Sequence, residues 1–561
     1  MLTKQTISGA IAEALQKLGI SIDEASAQKI VVDRPDPKFG DFSSNAAMIL
    51  AKGQKTNPRA LAEKIVREID KKLFKQVTIE GPGFINFKVK DEAIIESLTE
   101  REPKSKKLPG KILVEYFQPN IAKPLHVGHL RTAIIGDAIR RSLEYLGHEV
   151  ESDTHMGDWG TQFGILIWAY KKWGNDKEIE KNPITTLNKY YIKANDEIEK
   201  DPSLRDAAKK EFVKLEEGDK ENRKIWKQFV DWSLEKFSKI NDLLDLLPFE
   251  HYWPESFYED KMKIIVETLK KKGLLQESQG AQIVNLEKQG LGIAIIIKSD
   301  GGTTYLLRDL ATFIFRKKEG FGKQIYVVDT RQSHAFDQLF AILEMLGEMK
   351  PDEAYHVTFG FMSFKGSAFS TRKGNIVLAE DLVAQTKEKV AEIIEKKNPE
   401  LKGKKEAVKA VALAALKYFD LSHNRQSDIE FDWKEVLDFE GNSGPYLQYA
   451  HARLSSILRK EQPSGKISDK VEMTETERQL ALMAAALRES VEESVREYFP
   501  NILANYLYDL ATLANKFYHE SRVLNETDQD KKLMRLFLTK AVKETLGNGL
   551  KLLGIVPLEE M

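Results

Sequence analysis

The segment K-I-L-V-E-Y, Lys111 to Tyr116, constrains the fold more than any other stretch of this 561-residue chain. It reads as a buried strand, and a helical pattern from Leu130 to Leu146, ended by Gly147, follows it. A strand signal at His148 to Asp153 and a second helix from about Gly160 come next. Strand, helix and strand in this order argue for a parallel sheet covered by helices. The alternation resumes with helix Arg308 to Lys318, strand Gln324 to Val328, helix Ala335 to Leu346 and strand Ala354 to Phe359. A charged, helical stretch from about Lys181 to Lys272 separates the two halves and reads as the body of an insertion at about 181–290. The fold class expected is therefore α/β, with a Rossmann-type parallel sheet spanning 106–380 and a helical insertion.

The flanks differ in pattern. Residues 1–105 read as a small α+β domain, with helices at Lys4 to Leu18, Ser43 to Ala51 and Pro58 to Leu73. Its strands are expected at Lys29 to Val32, Val77 to Ile79 and Phe84 to Lys88. The polar stretch Arg101 to Gly110, broken twice by proline, reads as a linker. Residues 381–561 are almost wholly helical in pattern, with apolar residues at three- and four-residue spacing in Gly444 to Lys460, Thr474 to Tyr498 and Ile502 to Leu524, so an all-α bundle is expected there.

Composition removes whole classes of function. Lys and Arg number 85 against 86 Asp and Glu, so no basic coat covers the chain, although a local basic face stays possible. The absence of cysteine removes disulfides, Cys-containing zinc sites and thiol nucleophiles. The amphipathic start lacks a signal-peptide core, and no apolar run reaches the ~20 residues of a membrane span, so neither secretion nor a membrane is expected.

The chemistry concentrates at the first strand–helix junction, Q-P-N-I-A-K-P-L-H-V-G-H-L-R, Gln118 to Arg131. Ligands of open α/β sheets bind where strands hand over to helix N-termini. His126 and His129 flank Gly128 there and can donate to phosphate oxygens, while Gly128 admits a ligand close to the backbone. The Walker pattern is absent. A second basic element, F-S-T-R-K-G-N, spans Phe369 to Asn375. Alone it reads more readily as a basic surface turn.

With its flanks, H-V-G-H resembles the HIGH tetrad of class I aminoacyl-tRNA synthetases. N-I-A-K-P-L-H-V-G-H-L-R and H-M-G-D-W-G-T-Q-F-G (His155 to Gly164) resemble the arginyl-tRNA synthetase family within that class. Y-L-L-R-D-L, G-P-Y-L-Q-Y-A-H-A-R and the terminal L-L-G-I-V-P-L-E-E-M extend the resemblance over essentially the whole chain. It implies an arginine–tRNA ligase that forms arginyl-adenylate from arginine and ATP with Mg2+. The arginyl group then passes to the terminal adenosine of tRNA(Arg). It also implies a cytoplasmic monomer without structural metal that needs bound tRNA for activation.

The same resemblance distributes roles. ATP is expected along Pro119, Asn120, His126, Gly128 and His129, with His334 toward ribose or adenine. S-T-R-K-G-N stands in the place of the KMSKS loop, where Ser370 matches the serine and Thr371 replaces the second lysine. Arg372, Lys373 and Lys123 then supply the positive charge that the leaving pyrophosphate needs. Arginine is expected among Glu115, Asn120, Tyr305, Asp309 and Gln332, which suits a planar guanidinium ion with five donors. Taken alone, Asp309 reads as a first-turn charge and Tyr305 as a core aromatic. The bundle resembles the anticodon-binding domain, with Tyr446, Gln448, Tyr449, His451 and Arg453 as RNA contacts, although the same residues also suit a bundle core or a solvated face. The N-terminal domain resembles the module that recognises the tRNA elbow, with Lys52, Lys55 and Arg59 as phosphate contacts. Two alternatives stay open: a nucleotidyl-transfer enzyme acting on another small acid, and an idle paralogue that binds RNA.

Overall fold

The computed structural model describes residues 2–99, 105–365, 377–468 and 470–561. Its centre is a four-stranded sheet made of β1 (Lys111–Glu115), β2 (Glu149–Asp153), β3 (Phe321–Asp329) and β4 (Ala354–Phe359). The strands run in the order β4-β3-β1-β2 and every pair is parallel. Ile112, Leu113 and Val114 of β1 are all buried, as a strand covered on both faces requires. Helix α1 (Val127–Leu146) follows β1, and α2 (Thr161–Trp173) follows β2. The strand order reverses between β1 and β3, which places the ligand crevice at their carboxyl ends. Thr132 Oγ1 spans this switch point by donating to the Val327 carbonyl at 2.7 Å.

The insertion carries α3 (Pro183–Lys200) and α4 (Lys220–Leu244), with shorter helices at Leu204–Glu216 and Glu259–Lys271. It then turns into something the helical expectation missed, three antiparallel strands at Leu275–Ser278, Ala281–Asn285 and Ile293–Ile297. The run Ile293 to Ile297 looks uniformly apolar, yet it alternates, with Ala294 and Ile296 buried and Ile293 and Ile295 exposed. Its inward face joins one core with Leu310, Tyr326 and Leu343, so the meander packs on the second half of the sheet. That half continues with α5 (Tyr305–Lys318) and α6 (Ser333–Leu346).

The C-terminal third holds α7 (Ala379–Lys397), α8 (Lys404–Ser422), α9 (Gly444–Lys460), α10 (Glu475–Ala484), α11 (Leu487–Arg496), α12 (Pro500–Glu520) and α13 (Gln529–Leu552). The expected helix Thr474 to Tyr498 is thus two, and the third is not all helix. Strand β6 (Ile429–Phe431) pairs in parallel with β5 (Met362–Phe364), just beyond β4. The alternating I-E-F satisfies its backbone by returning to the sheet domain.

In the N-terminal domain a four-stranded antiparallel sheet replaces part of the expected helix content. Phe42–Ser44 is a strand paired with Ile85 to Phe87, so the helix expected from Ser43 shrinks to Ala46–Leu50. The helix from Pro58 stops at Glu68 because Phe74 already opens the next strand, and the strand expected at Lys29 to Val32 lies at Val32–Asp33. Of the expected linker, residues 101–104 lie outside the described residues. Ser105 is pinned to the end of α1 by donating to the Tyr145 carbonyl at 2.6 Å. Arg478 of α10 ties the N-terminal domain to the bundle through Asp91 and through Asp41 at 2.8 Å. Among the described residues no helix is long and apolar enough to cross a membrane.

Candidate active site

The two histidines build the start of α1 themselves. His126 is the N-cap residue, and its Nδ1 accepts the Gly128 N–H at 3.1 Å. The His126 N–H in turn donates to Nδ1 of His129 at 3.3 Å. This is the reciprocal capping arrangement usually made by Ser/Thr and Glu, here made by two imidazoles. A ring nitrogen that accepts an N–H carries no proton, so each neutral ring keeps its proton on Nε2. Both rings are held neutral. Burial lowers the His126 pKa, helped by Arg331, and burial pushes His129 down to about 3, helped by His126 and Lys123.

The cap uses up the first backbone donors of the helix. The first amides of α1 are occupied, since Val127 donates to the Val377 carbonyl at 3.2 Å and Gly128 donates to His126. The capping bonds leave the two Nε2–H groups as donors, with the helix dipole behind them. Gly128 serves the cap first, because a Cβ there would stand 2.9 Å from Cε1 of His126.

The approach to the histidines is backbone-strained. Phe117 (φ 55°) and Ala122 (φ 60°) both take the left-handed conformation without being glycine. Ala122 is held by its N–H to Ser233 Oγ of α4 at 2.9 Å. Lys123 follows, its ammonium 5.6 Å from the centre of the Tyr191 ring on α3. Ser370, Thr371, Arg372 and Lys373 lie outside the described residues. The chain beyond them returns to the histidines, where Ala379 donates to the Leu125 carbonyl at 3.0 Å and Leu378 bridges His126.

A second cluster lies on the other side of Asn120. The Gly157 N–H donates to the Pro119 carbonyl at 3.2 Å, and Ile121 donates back to Gly157 at 3.0 Å. A Cβ on Gly157 would lie 2.3 Å from Oδ1 of Asn120 and 3.7 Å from Oε1 of Glu255. Glu255 meets the Arg308 guanidinium at 3.4 Å, and Arg308 reaches Glu259 at 3.3 Å. Tyr305 opens α5 and is 65 % exposed, its ring 5.7 Å from the Arg308 guanidinium carbon. Asp309 faces Glu115, Arg308 and Arg316.

Burial dominates the electrostatics of the cluster. Burial raises the Glu255 carboxyl to about 8, with Asp309 and Asp158 adding to the effect and Arg308 opposing it. Burial and Glu115 raise Asp309 to about 7. Asp158 rises to about 6 through burial, although Ser256 donates to it from both N–H (2.8 Å) and Oγ (2.6 Å). Burial is the main cause in all three cases, and the two neighbouring guanidinium groups, Arg308 and Arg316, only partly offset it.

Glu115 has partners of its own within the chain. Its carboxylate pairs with Arg316 at 2.5 Å and accepts from Gln118 Nε2 at 3.2 Å. Arg316 also binds Asp153 at 2.5 Å. Glu115, Asp153 and His155 are close enough to hold a metal ion, but the buried Arg316 guanidinium bridges the two carboxylates. His155 is pushed down to about 4 by burial and by Arg316. Gln332 and His334 are exposed just past the carboxyl end of β3, and the His334 ring lies 3.2 Å from Gln338 Nε2. Sequence reasoning missed Glu255, and the signal was W-P-E-S, since Ser256 binds the Asp158 of D-W-G.

The RNA candidates divide by helix face. Gln448 is fully buried and donates to the Val556 carbonyl at 2.7 Å, while His451, also buried, shares a hydrogen bond of 2.8 Å with the Leu558 carbonyl. Both hold the C-terminal tail, which removes them from an RNA-contacting surface and corrects that expectation. Tyr446, Tyr449 and Arg453 line a cavity of about 620 Å³ with Phe439, Asn515 and His519. Arg453 lies 4.7 Å from the ring centres of both Tyr449 and Tyr518. Lys52, Lys55 and Arg59 are exposed on the N-terminal domain.

Residues 93–433 match the family described as tRNA synthetases class I (R), catalytic domain. Residues 5–89 match the arginyl tRNA synthetase N terminal domain, and 447–561 the DALR anticodon binding domain. An arginine–tRNA ligase of Clostridium kluyveri is 39% identical over 564 residues, covering 98% of this chain and 99% of its own. One from Clostridium perfringens is 40% identical over 554 residues, covering 97% and 98%. The Thermus thermophilus arginyl-tRNA synthetase structure superposes with a TM-score of 0.84 at 27% identity over 100% of both chains. The Plasmodium falciparum arginyl-tRNA synthetase gives 0.81 at 26% identity over 100% and 99%.

Proposed function

This chain belongs to the arginyl-tRNA synthetases of class I, and we propose that it joins arginine to tRNA(Arg) in two steps with the following division of labour. The arginine carboxylate attacks the α-phosphorus of ATP, which enters with Mg2+, and pyrophosphate leaves. The 2′-hydroxyl of the terminal tRNA adenosine then attacks the carbonyl of arginyl-adenylate and releases AMP. Neither step requires a side-chain nucleophile, so catalysis is positioning and charge stabilisation. The Nε2–H groups of His126 and His129 donate to phosphate oxygens as charge builds, and Lys123, with Arg372 and Lys373, supplies positive charge. Asp309, beside Glu115, takes the guanidinium group, with Tyr305 stacked on its plane. Glu255 and Asn120, on either side of Gly157, take the α-ammonium group. Tyr449 and Arg453 stack unpaired anticodon bases.

The observation that carries this reading is a buried acidic cluster set beside the two capping imidazoles. Glu255 and Asp309, raised to about 8 and about 7 chiefly by burial, sit beside neutral imidazole donors at the sheet's switch point. Asp309 can accept from a guanidinium group and Glu255 from an α-ammonium group, so arginine offers a partner to each carboxyl. A monomer working in the cytoplasm follows from the family resemblance alone.

The test is arginine-dependent ATP–pyrophosphate exchange, run with and without an arginine-accepting tRNA. Exchange that requires tRNA supports the ligase reading and places RNA among the requirements for activation. Exchange without tRNA keeps the ligase and removes that coupling. No exchange in either case, with tRNA still bound, favours the idle RNA-binding paralogue.

A further inference from the structure

Two residues after His129, α1 carries Arg131, whose side chain is 1% exposed. Its Nε donates to both carboxylate oxygens of Asp420 on α8, at 3.1 and 3.2 Å, and NH1 donates to the Gly360 carbonyl at 2.5 Å. Asp420 is as deeply buried as its partner, 0% exposed. Gly360 is the turn by which the chain leaves β4 for β5. A second buried guanidinium holds the same turn from the opposite side, since Arg425 NH1 donates to the Thr358 carbonyl at 2.5 Å. Arg425 also binds the carbonyls of Glu497 (3.1 Å) and Tyr498 (2.7 Å) in the bundle, and its own carbonyl accepts the Gly360 N–H at 2.9 Å. Gly360 has no room for a side chain, because a Cβ would stand 2.5 Å from the Ser427 carbonyl.

A buried ion pair is poor evidence for stability, because desolvating both charges consumes most of what their attraction returns, and apolar replacements are often as stable or more so. What such a pair supplies is a defined geometry. A guanidinium fork that meets a carboxylate and a carbonyl at once fixes three chain segments against one another, which a lysine cannot do. The segments are the helix that carries His126 and His129, the exit turn of β4, and α8 of the bundle. Among the described residues, Arg131 makes its hydrogen bonds and ion pair with Asp420 and Gly360, and with none of Glu115, Asn120, Glu255, Tyr305 or Asp309.

We propose that Arg131 is a positioning residue for adenylate formation, setting the phosphate-facing start of α1 against the Phe359–Phe361 turn through Asp420 and the Gly360 carbonyl. The proposal rests on the ligase reading above and deepens it. Its signature is a fault on the ATP side that leaves the arginine pocket untouched.

The experiment uses the full-length chain in ATP–pyrophosphate exchange, with tRNA present, comparing wild type with the paired substitution Arg131→Met and Asp420→Leu. The expected result is a melting temperature at or above wild type and kcat lower by roughly tenfold to a hundredfold, the scale of a sub-ångström to 1 Å misplacement. The KM for ATP rises and the KM for arginine stays unchanged. Arg131→Lys recovers only part of the rate. If the paired variant does not fold, Asp420→Asn, which keeps the side-chain shape and an acceptor, is read for the same split. Wild-type kcat and ATP KM in the folded variant overturn the proposal, as does an equal rise in both KM values. Wild-type exchange itself tests the ligase reading, so the two failures are distinct.

Discussion

His129 combines two jobs that a pair of substitutions separates. Its Nδ1 accepts the His126 N–H at 3.3 Å and so helps close the start of α1, while Nε2–H is left to donate toward a phosphate. The Oδ1 of asparagine occupies nearly the place of Nδ1, so His129→Asn keeps the cap and removes the donor. His129→Ala removes both. One lost helix cap costs about 1 kcal/mol of stability. One lost donor to developing charge costs about 3 kcal/mol in the barrier, or roughly two orders of magnitude in rate. Both variants therefore lose about a hundredfold in pyrophosphate exchange, while the alanine variant alone melts lower. Because the His129 pKa lies at about 3, the ring is neutral throughout the working range, and the rate ratio of wild type to His129→Asn stays flat between about pH 6 and 8. Near-wild-type turnover in His129→Asn would refute the donor role and leave only capping. A ratio that bends with pH would refute the neutral imidazole.

Three further expectations follow from the same geometry. Glu255 and Asp309, raised to about 8 and about 7, hold protons in the folded chain that the unfolded chain has already lost, so these groups make stability fall as pH rises from about 5 to 8. Arginine favours both carboxylates ionised and releases protons over that window, which calorimetry in buffers of different ionisation enthalpy reads directly; a buffer-independent enthalpy contradicts it. Gly157→Ala forces a Cβ to within 2.3 Å of Asn120 Oδ1 and raises the arginine KM by about tenfold or more, with a smaller effect on ATP, as steady-state exchange shows. In the bundle, Tyr449→Ala and Arg453→Ala weaken tRNA binding by about tenfold at nearly unchanged melting temperature, the scale of one lost stacking contact. Gln448→Ala and His451→Ala do the reverse, since each leaves a carbonyl of the C-terminal tail unpaired; filter binding and thermal melts together distinguish the two faces.

Much of the sheet domain was legible because parallel strands buried on both faces read as apolar runs, and helices end at glycines such as Gly147. Strand Ala354–Phe359 and helix Gly444–Lys460 have the limits read from the sequence. The three-stranded meander before α5 was not legible, since a short run such as I-A-I-I-I has no period that separates strand from helix. Strand β6 was hidden for a different reason. Three residues between helices become a strand only where β5, distant in sequence, supplies the partner.

At the site, the chain's own order determined that two histidines and a glycine meet at a strand–helix junction, because i and i+3 on one turn are neighbours whatever surrounds them. On α9 the apolar spacing marked Leu447, Ala450 and Leu454 as inward but could not say that Gln448 and His451 beside them are covered too. The returning tail decided it by covering Gln448 and His451 and leaving Tyr449 open. Tertiary structure also decided that Glu115 meets Arg316 and that Glu255 stands beside Asn120. Charge pairing inside a protein depends on distance through space and on burial. Neither is encoded locally, so the raised carboxyls of the pocket exist only once the two halves of the sheet and the insertion have closed around them.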